Sequence, residues 1–332
     1  MIAGKAGHGR RRYDAAMPSS RTSGRHRPAS AFLLLLGLAA AILSACSATG
    51  TGPSSGAPAS VTVVGTTPPF IPQIISSEQV AGANRLLIGL VDPSTPKSIG
   101  GPDTKVTVAL TSGATTIPSA PATFVWAIQG ERGIYVLDVT YPSAGSWTAS
   151  ITATGGGLGA GGTVGVQYDV VAKGSAIPVG AAAPATKTPT LSDVGGDVKQ
   201  IATDPNPDPS FYTTSVDQAL AGHQPFVLIF ATPAFCTSGQ CGPTLDAVKA
   251  IAKTEPGVTF INVEPYKLEY TGGRLQPILS ASNQLQPTDV TETWGILSEP
   301  WVFVVDKTGI VRASFEAVVA PNELTAAIDA IK

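Results

Sequence analysis

Two of the three cysteines in this 332-residue chain, Cys236 and Cys241, stand in the segment FATPAFCTSGQCGP with Thr237, Ser238, Gly239 and Gln240 between them. Such a pair has three chemistries open to it: a structural disulfide, a metal site, or a redox pair that exchanges disulfides. Redox work needs a thiolate, because the thiol itself is a poor nucleophile. The spacing matters for closure. On a regular helix, residues i and i+5 lie about 140° apart around the axis and ~7.5 Å along it, out of disulfide reach. Either both cysteines therefore sit in a loop whose helix starts at Pro243, or the first helical turn must melt when the bond forms. Gly242-Pro243 favours irregularity, since proline removes a helix hydrogen bond and clashes with the preceding turn.

Metal ligands are scarce. Beyond residue 46 the chain has no methionine and one histidine, His223, which lies upstream of both cysteines, so neither a metal nor a cofactor is expected. The staple stays open, since cysteine pairs persist outside the cytosol. However, a loop of four residues gains little chain-entropy stabilisation from being closed.

Elements must position the pair. Phe226 to Phe230 is a continuous apolar run fit for a buried strand, and Pro243 to Lys253 has helical spacing in Leu245, Val248 and Ile251. Ser215 can cap a short helix to Ala221, Val258 to Val263 and Trp301 to Val305 read as strands, Asp306 to Gly309 as a turn into Val311 to Phe315, and Glu323 to Ile331 as a closing helix. A buried strand thus ends next to a helix start where the cysteines lie. Unpaired N–H groups at a helix start lower a cysteine pKa, so Cys236 is the better nucleophile and Cys241 the resolving thiol.

Upstream the pattern changes to period two. Tyr135, Leu137, Val139 and Tyr141 share one face, as do Trp147, Ala149 and Ile151. Arg85 to Val91, Val106 to Leu110, Phe124 to Ile128 and Val164 to Val170 are similar. Six or seven short strands with Gly, Pro and Ser between them predict an immunoglobulin-like β-sandwich over 79–173, without an inter-sheet disulfide.

The segment WGILSEPWVFVVDKTGIVRASFE, residues 294 to 316, together with a cysteine placed after a buried strand, resembles the thioredoxin family. The resemblance covers roughly 210–332. It implies an α/β thioredoxin-like domain, a cis-proline at Pro300 facing the cysteines, and protein thiols and disulfides as substrates. The chain departs from that family in having four residues between its cysteines instead of two, and no acidic residue within Phe226 to Phe230. The spacing also resembles one branch of the peroxiredoxins, which implies a thiol peroxidase using the same cysteines. That branch has a threonine where Pro233 stands, a proline where Ile229 stands, and an arginine beside the thiolate; Thr232 is one position off, and Arg274 and Arg312 are the arginines at hand. Copper-delivering redoxins of the Sco type need a histidine downstream of the cysteines, and none is present. Glu299 could take a proton or sit as a solvated edge group. Trp294 and Trp301 could line a groove or serve as packing.

The N-terminus reads as a leader. An Arg/His-rich stretch precedes the apolar run Ala31 to Leu43, which is too short to span a bilayer comfortably. Leu43-Ser44-Ala45-Cys46 resembles the lipobox of bacterial lipoproteins, implying a signal peptide over 1–45 and lipidation of Cys46. The expected order is then a tether over 46–78, the sandwich, a Pro/Ala-rich linker over 174–209, and the thioredoxin-like domain. The expected location is extracytoplasmic, anchored to the membrane by lipid. A net charge of -2 with 13% charged residues offers no basic patch, so nucleic acid is not an expected partner. The whole reads as a thiol-disulfide oxidoreductase, with a thiol peroxidase and a non-enzymatic interaction lipoprotein as alternatives.

Overall fold

The computed structural model describes residues 60–62, by their backbone, and residues 68–332. The period-two segments form strands: β1 (Ser60–Thr62), β2 (Ile71–Ile74), β3 (Gly82–Val91), β4 (Thr104–Ser112), β5 (Thr115–Ile128), β6 (Arg132–Tyr141), β7 (Gly145–Gly155) and β8 (Gly162–Val170). They pair in one antiparallel sheet in the order β1-β8-β7-β4-β5-β6-β3-β2. The alternating residues are the core, as the pattern requires: Tyr135, Leu137, Val139 and Tyr141 pack with Trp147, Ala149, Ile151, Leu86 and Ile88. Each Val, Leu or Ile side chain among them contributes about 1.5–3 kcal/mol when fully buried. Tyr141 and Tyr168 share a buried hydroxyl contact of 2.6 Å.

The 14-residue β5 bends this sheet. Its first half pairs with β4 and its second half with β6, with a register shift in each ladder. The sheet therefore curls almost to closure.

The C-terminal part runs α1 (Val216–Ala221), β9 (Phe226–Phe230), α2 (Cys241–Ala252), β10 (Thr259–Val263), β11 (Leu268–Thr271), β12 (Arg274–Pro277), α3 (Asp289–Trp294), β13 (Trp301–Val305), β14 (Val311–Glu316) and α4 (Pro321–Asp329). Four of these strands form a mixed sheet in the order β10-β9-β13-β14, while β11 and β12 form a separate hairpin. Every residue of β9 is buried. Val227 and Ile229 pack with Leu245 and Val248 of α2 and Leu324 and Ile328 of α4; Phe226, Leu228 and Phe230 pack with Val216 of α1 and Trp294 of α3. A strand covered on both faces must be apolar at consecutive positions, which is why this run does not alternate. Residues of the 174–209 segment are hydrogen-bonded along this sheet, Gly180 N–H to the Val311 carbonyl at 2.8 Å and Ala183 N–H to that of Gly309 at 2.8 Å.

The fold class read from the sequence, an immunoglobulin-like sandwich followed by an α/β thioredoxin-like domain, is corrected on two points. The N-terminal strands make one nearly closed antiparallel sheet instead of two stacked ones, because β5 is long enough to belong to both halves. The described residues are mostly β, with 40% strand against 17% helix, and an α/β thioredoxin domain is not found among them. Among the described residues the helices are few, and only α2, with 12 residues, and α4, with 9, exceed two turns.

The large sheet touches the loop between β14 and α4. Leu87, Val125, Ala127, Ile134 and Val136 form an outer apolar cluster that packs on Val318, so both faces of β6 are buried near its start. Arg85 pairs with Glu323 at 2.7 Å and also donates to the Val318 carbonyl at 2.8 Å.

Candidate functional site

Cys236 lies in the loop that leaves β9, and Cys241 is the first residue of α2. The two are joined by a disulfide with Cα atoms 6.0 Å apart, inside the range a disulfide tolerates. The irregularity required by the spacing is present, but the helix starts at Cys241 and not at Pro243. Thr237 to Gln240 are non-helical, and Gly239 has φ +73°, a left-handed conformation that glycine adopts without steric cost. Pro243 falls at the third helical position, where its missing N–H would have had no intrahelical partner.

The two sulfurs have unlike surroundings. Cys241 is fully buried, with 0% exposure, while Cys236 is part-exposed. The backbone N–H of Cys241 donates to Cys236 Sγ at 3.1 Å, and the Ser238 hydroxyl lies 3.4 Å from the same sulfur. The N-terminus of a 12-residue helix is therefore aimed at the accessible cysteine.

Glu299 and Pro300 are both buried beside this loop, and the peptide bond between them is cis. Glu299 Oε1 accepts from the backbone N–H and the hydroxyl of Thr237, both at 3.1 Å, and Oε2 accepts from the Tyr266 hydroxyl at 2.5 Å. Its backbone carbonyl accepts from Ser238 Oγ at 3.2 Å. Burial, reinforced by Glu299, pushes the Tyr266 hydroxyl well above its ordinary range. Among the described residues, Cys236, Cys241 and Glu299 form a cluster in which one atom from each lies within 4.8 Å of the others.

A second buried carboxylate lies across the sheet. Glu264 follows β10 opposite Ala231 and accepts from Thr203 N–H at 2.6 Å. Burial pushes its carboxyl up to about 7, against the pull of hydrogen bonds from Thr232 and Thr203. Position 230 in β9 carries no acid, but carboxylates reach this region from neighbouring segments. A cavity of ≈ 440 Å³ opens next to the cysteine loop, lined in part by Ala234, Phe235, Lys199 and Arg274.

The remaining candidates separate. Trp294 has 0% exposure and packs on Phe230 and Phe303, so it is core. Trp301 stacks on Phe303 at 5.4 Å. Arg312 is paired with Asp306 at 2.6 Å, and Arg274 lies on the exposed hairpin. The arginine at the cysteine loop is Arg132, whose Nη1 donates to the Ser238 carbonyl at 3.1 Å. Arg132 and Tyr266 went unnoticed in the sequence, because each reaches the loop from a remote segment and neither stands in a motif. Cys46 and residues 1–45, where a signal peptide is expected, lie outside the described residues, and no helix among those described is long and apolar enough to cross a membrane. Searches against protein-family models and curated proteins find no match to this chain.

Proposed function

We propose that this protein is a thiol-disulfide oxidoreductase acting on protein thiols and disulfides, held outside the cytoplasm by a lipid on Cys46. The observation that carries the reading is the asymmetry of the pair: a part-exposed cysteine whose sulfur receives the N–H of the helix start, and a partner with no exposure. Donors at a helix start favour a thiolate at Cys236. A buried Cys241 meets no protein substrate directly, but it reaches Cys236.

In the reducing direction Cys236 thiolate attacks one sulfur of a substrate disulfide, forming a mixed disulfide and releasing the other sulfur as a thiolate. Cys241 then attacks Cys236 Sγ, the mixed bond breaks, and the Cys236–Cys241 bond forms as the second substrate thiol leaves. Two electrons pass from the pair to the substrate.

The test is the potential of the pair, measured on the full chain in detergent by equilibration with graded dithiol buffers and counting of free thiols. A value between roughly -270 and -120 mV is expected for an exchanging pair. A value below about -300 mV would make the bond a structural staple. Rapid consumption of hydrogen peroxide, abolished by Cys236→Ser, would replace exchange by peroxidase chemistry.

A further inference from the structure

Exchange has a proton problem at Cys241. That residue is fully buried, and before it attacks the mixed disulfide its thiol must lose a proton that bulk water is badly placed to accept. We infer that Glu299, whose buried carboxylate lies within 4.8 Å of both sulfurs, takes the proton from Cys241 and delivers it to the departing substrate thiolate. The inference rests on the exchange reading given above.

Three features of the site support it. No salt bridge engages Glu299 among the described residues, so no cation neutralises the carboxylate. Thr237 and Tyr266 hold it in place through three donated hydrogen bonds. Thr237 is also the residue next to Cys236, so the backbone that carries the nucleophile carries the donor to the carboxylate. The groups facing Glu299 that titrate are Cys236, Cys241 and Tyr266; Glu316 lies one hydrogen bond further out, through Ser298, and Arg132 reaches the same loop at the Ser238 carbonyl.

The protons balance as follows. Cys236 thiolate attacks the disulfide R–S–S–R′, giving Cys236–S–S–R and R′–S⁻, which is protonated by solvent. The Cys241 thiol passes its proton to the Glu299 carboxylate, and the resulting thiolate attacks Cys236 Sγ. The sulfur–sulfur bond to R breaks, and R–S⁻ takes the proton from Glu299. The carboxylate ends ionised, as it began, and the enzyme ends as the disulfide.

Pre-reduced full-length protein mixed in a stopped-flow instrument with the chromogenic disulfide dithiobis(nitrobenzoate) reports both steps, since each releases one coloured thiolate. In Glu299→Gln the first release should be as fast as in the unsubstituted chain, or faster, because a negative charge near Cys236 is gone. The second should slow by roughly 10- to 100-fold, in keeping with the contribution of a positioned proton carrier. It should also recover in proportion to hydroxide as pH rises, and Glu299→Asp should restore part of it. Tyr266→Phe keeps the carboxylate but removes a donor that holds it in place, and should slow the second phase less than Glu299→Gln does while leaving the first unchanged. Identical second phases in Glu299→Gln and the unsubstituted chain at every pH would overturn the role of Glu299 with exchange intact. A single release in the unsubstituted chain, with no second phase, would instead overturn the exchange reading.

Discussion

The guanidinium of Arg132, at the start of β6, donates to the carbonyl oxygen of Ser238 at 3.1 Å, so a cation from the large sheet rests on the loop between the two cysteines. The side chain is exposed, which makes its influence on the thiolate sensitive to salt. In pre-reduced Arg132→Ala, the pH midpoint for alkylation of Cys236 by iodoacetamide should rise by a few tenths of a unit at low ionic strength. The difference should vanish near 1 M salt, where the Debye length is about 3 Å. Superimposable profiles at low salt would remove Arg132 from the electrostatics of the site.

Glu264 sets a pH dependence of stability. Its carboxyl is raised from 4.5 to about 7 in the folded protein, so between those values the native state holds a proton that the unfolded chain has released. Stability from the neutral form is complete below the lower value and is lost as pH rises through the upper one. Glu264→Gln keeps the acceptor for Thr203 but cannot ionise. It should match the unsubstituted chain at pH 4 and exceed it at pH 8 by up to about 3 kcal/mol in urea unfolding. Equal differences at both pH values would contradict this.

Trp294 is core, and its loss should be a packing loss. Trp294→Ala should cost about 3–5 kcal/mol, the range for truncating a buried aromatic residue, and remove the hydrogen bond from Nε1 to Thr186 Oγ1 at 3.1 Å. Thermal melting reads the cost, and Cys236 alkylation in the surviving folded protein, once reduced, should be unchanged. A variant with native stability and poor thiol reactivity would place Trp294 at a substrate surface instead.

Lipidation can be tested apart from redox chemistry. Cys46→Ala should abolish incorporation of labelled fatty acid and shift the protein from the membrane fraction to the soluble one, with the thiol potential unchanged. Membrane retention in that variant would refute the anchor.

What the sequence disclosed followed from burial. Strands with one wet face announce themselves by alternation, and β6 and β7 bury the residues that the period assigned; β9, covered on both faces, reads as an unbroken apolar run. The closure of the large sheet was hidden in the first half of β5, where Pro118 and Pro121 read as breaks although they lie within the strand. The hairpin of β11 and β12 turns at Gly272-Gly273, a legitimate hairpin signal, but none of its flanking residues is buried and they show no clear period. At the site, the cysteines could be read from residue type and spacing, and Pro300 only through the thioredoxin resemblance. The partners of Glu299 could not, because Tyr266 and Thr237 meet it only across the fold.

Glu316 ties three segments at once. Its carboxylate accepts from the Ser77 N–H at 2.8 Å and from the Ser298 hydroxyl at 2.7 Å, joining the approach to β3, the end of β14 and the residue before Glu299. With the Arg85 clamp on Glu323 and Val318, this makes cooperativity a property of the pair of sheets. Amide protons of β3 and β14 should exchange through a shared opening event, and force applied to either sheet should be felt at the loop that holds the cysteines.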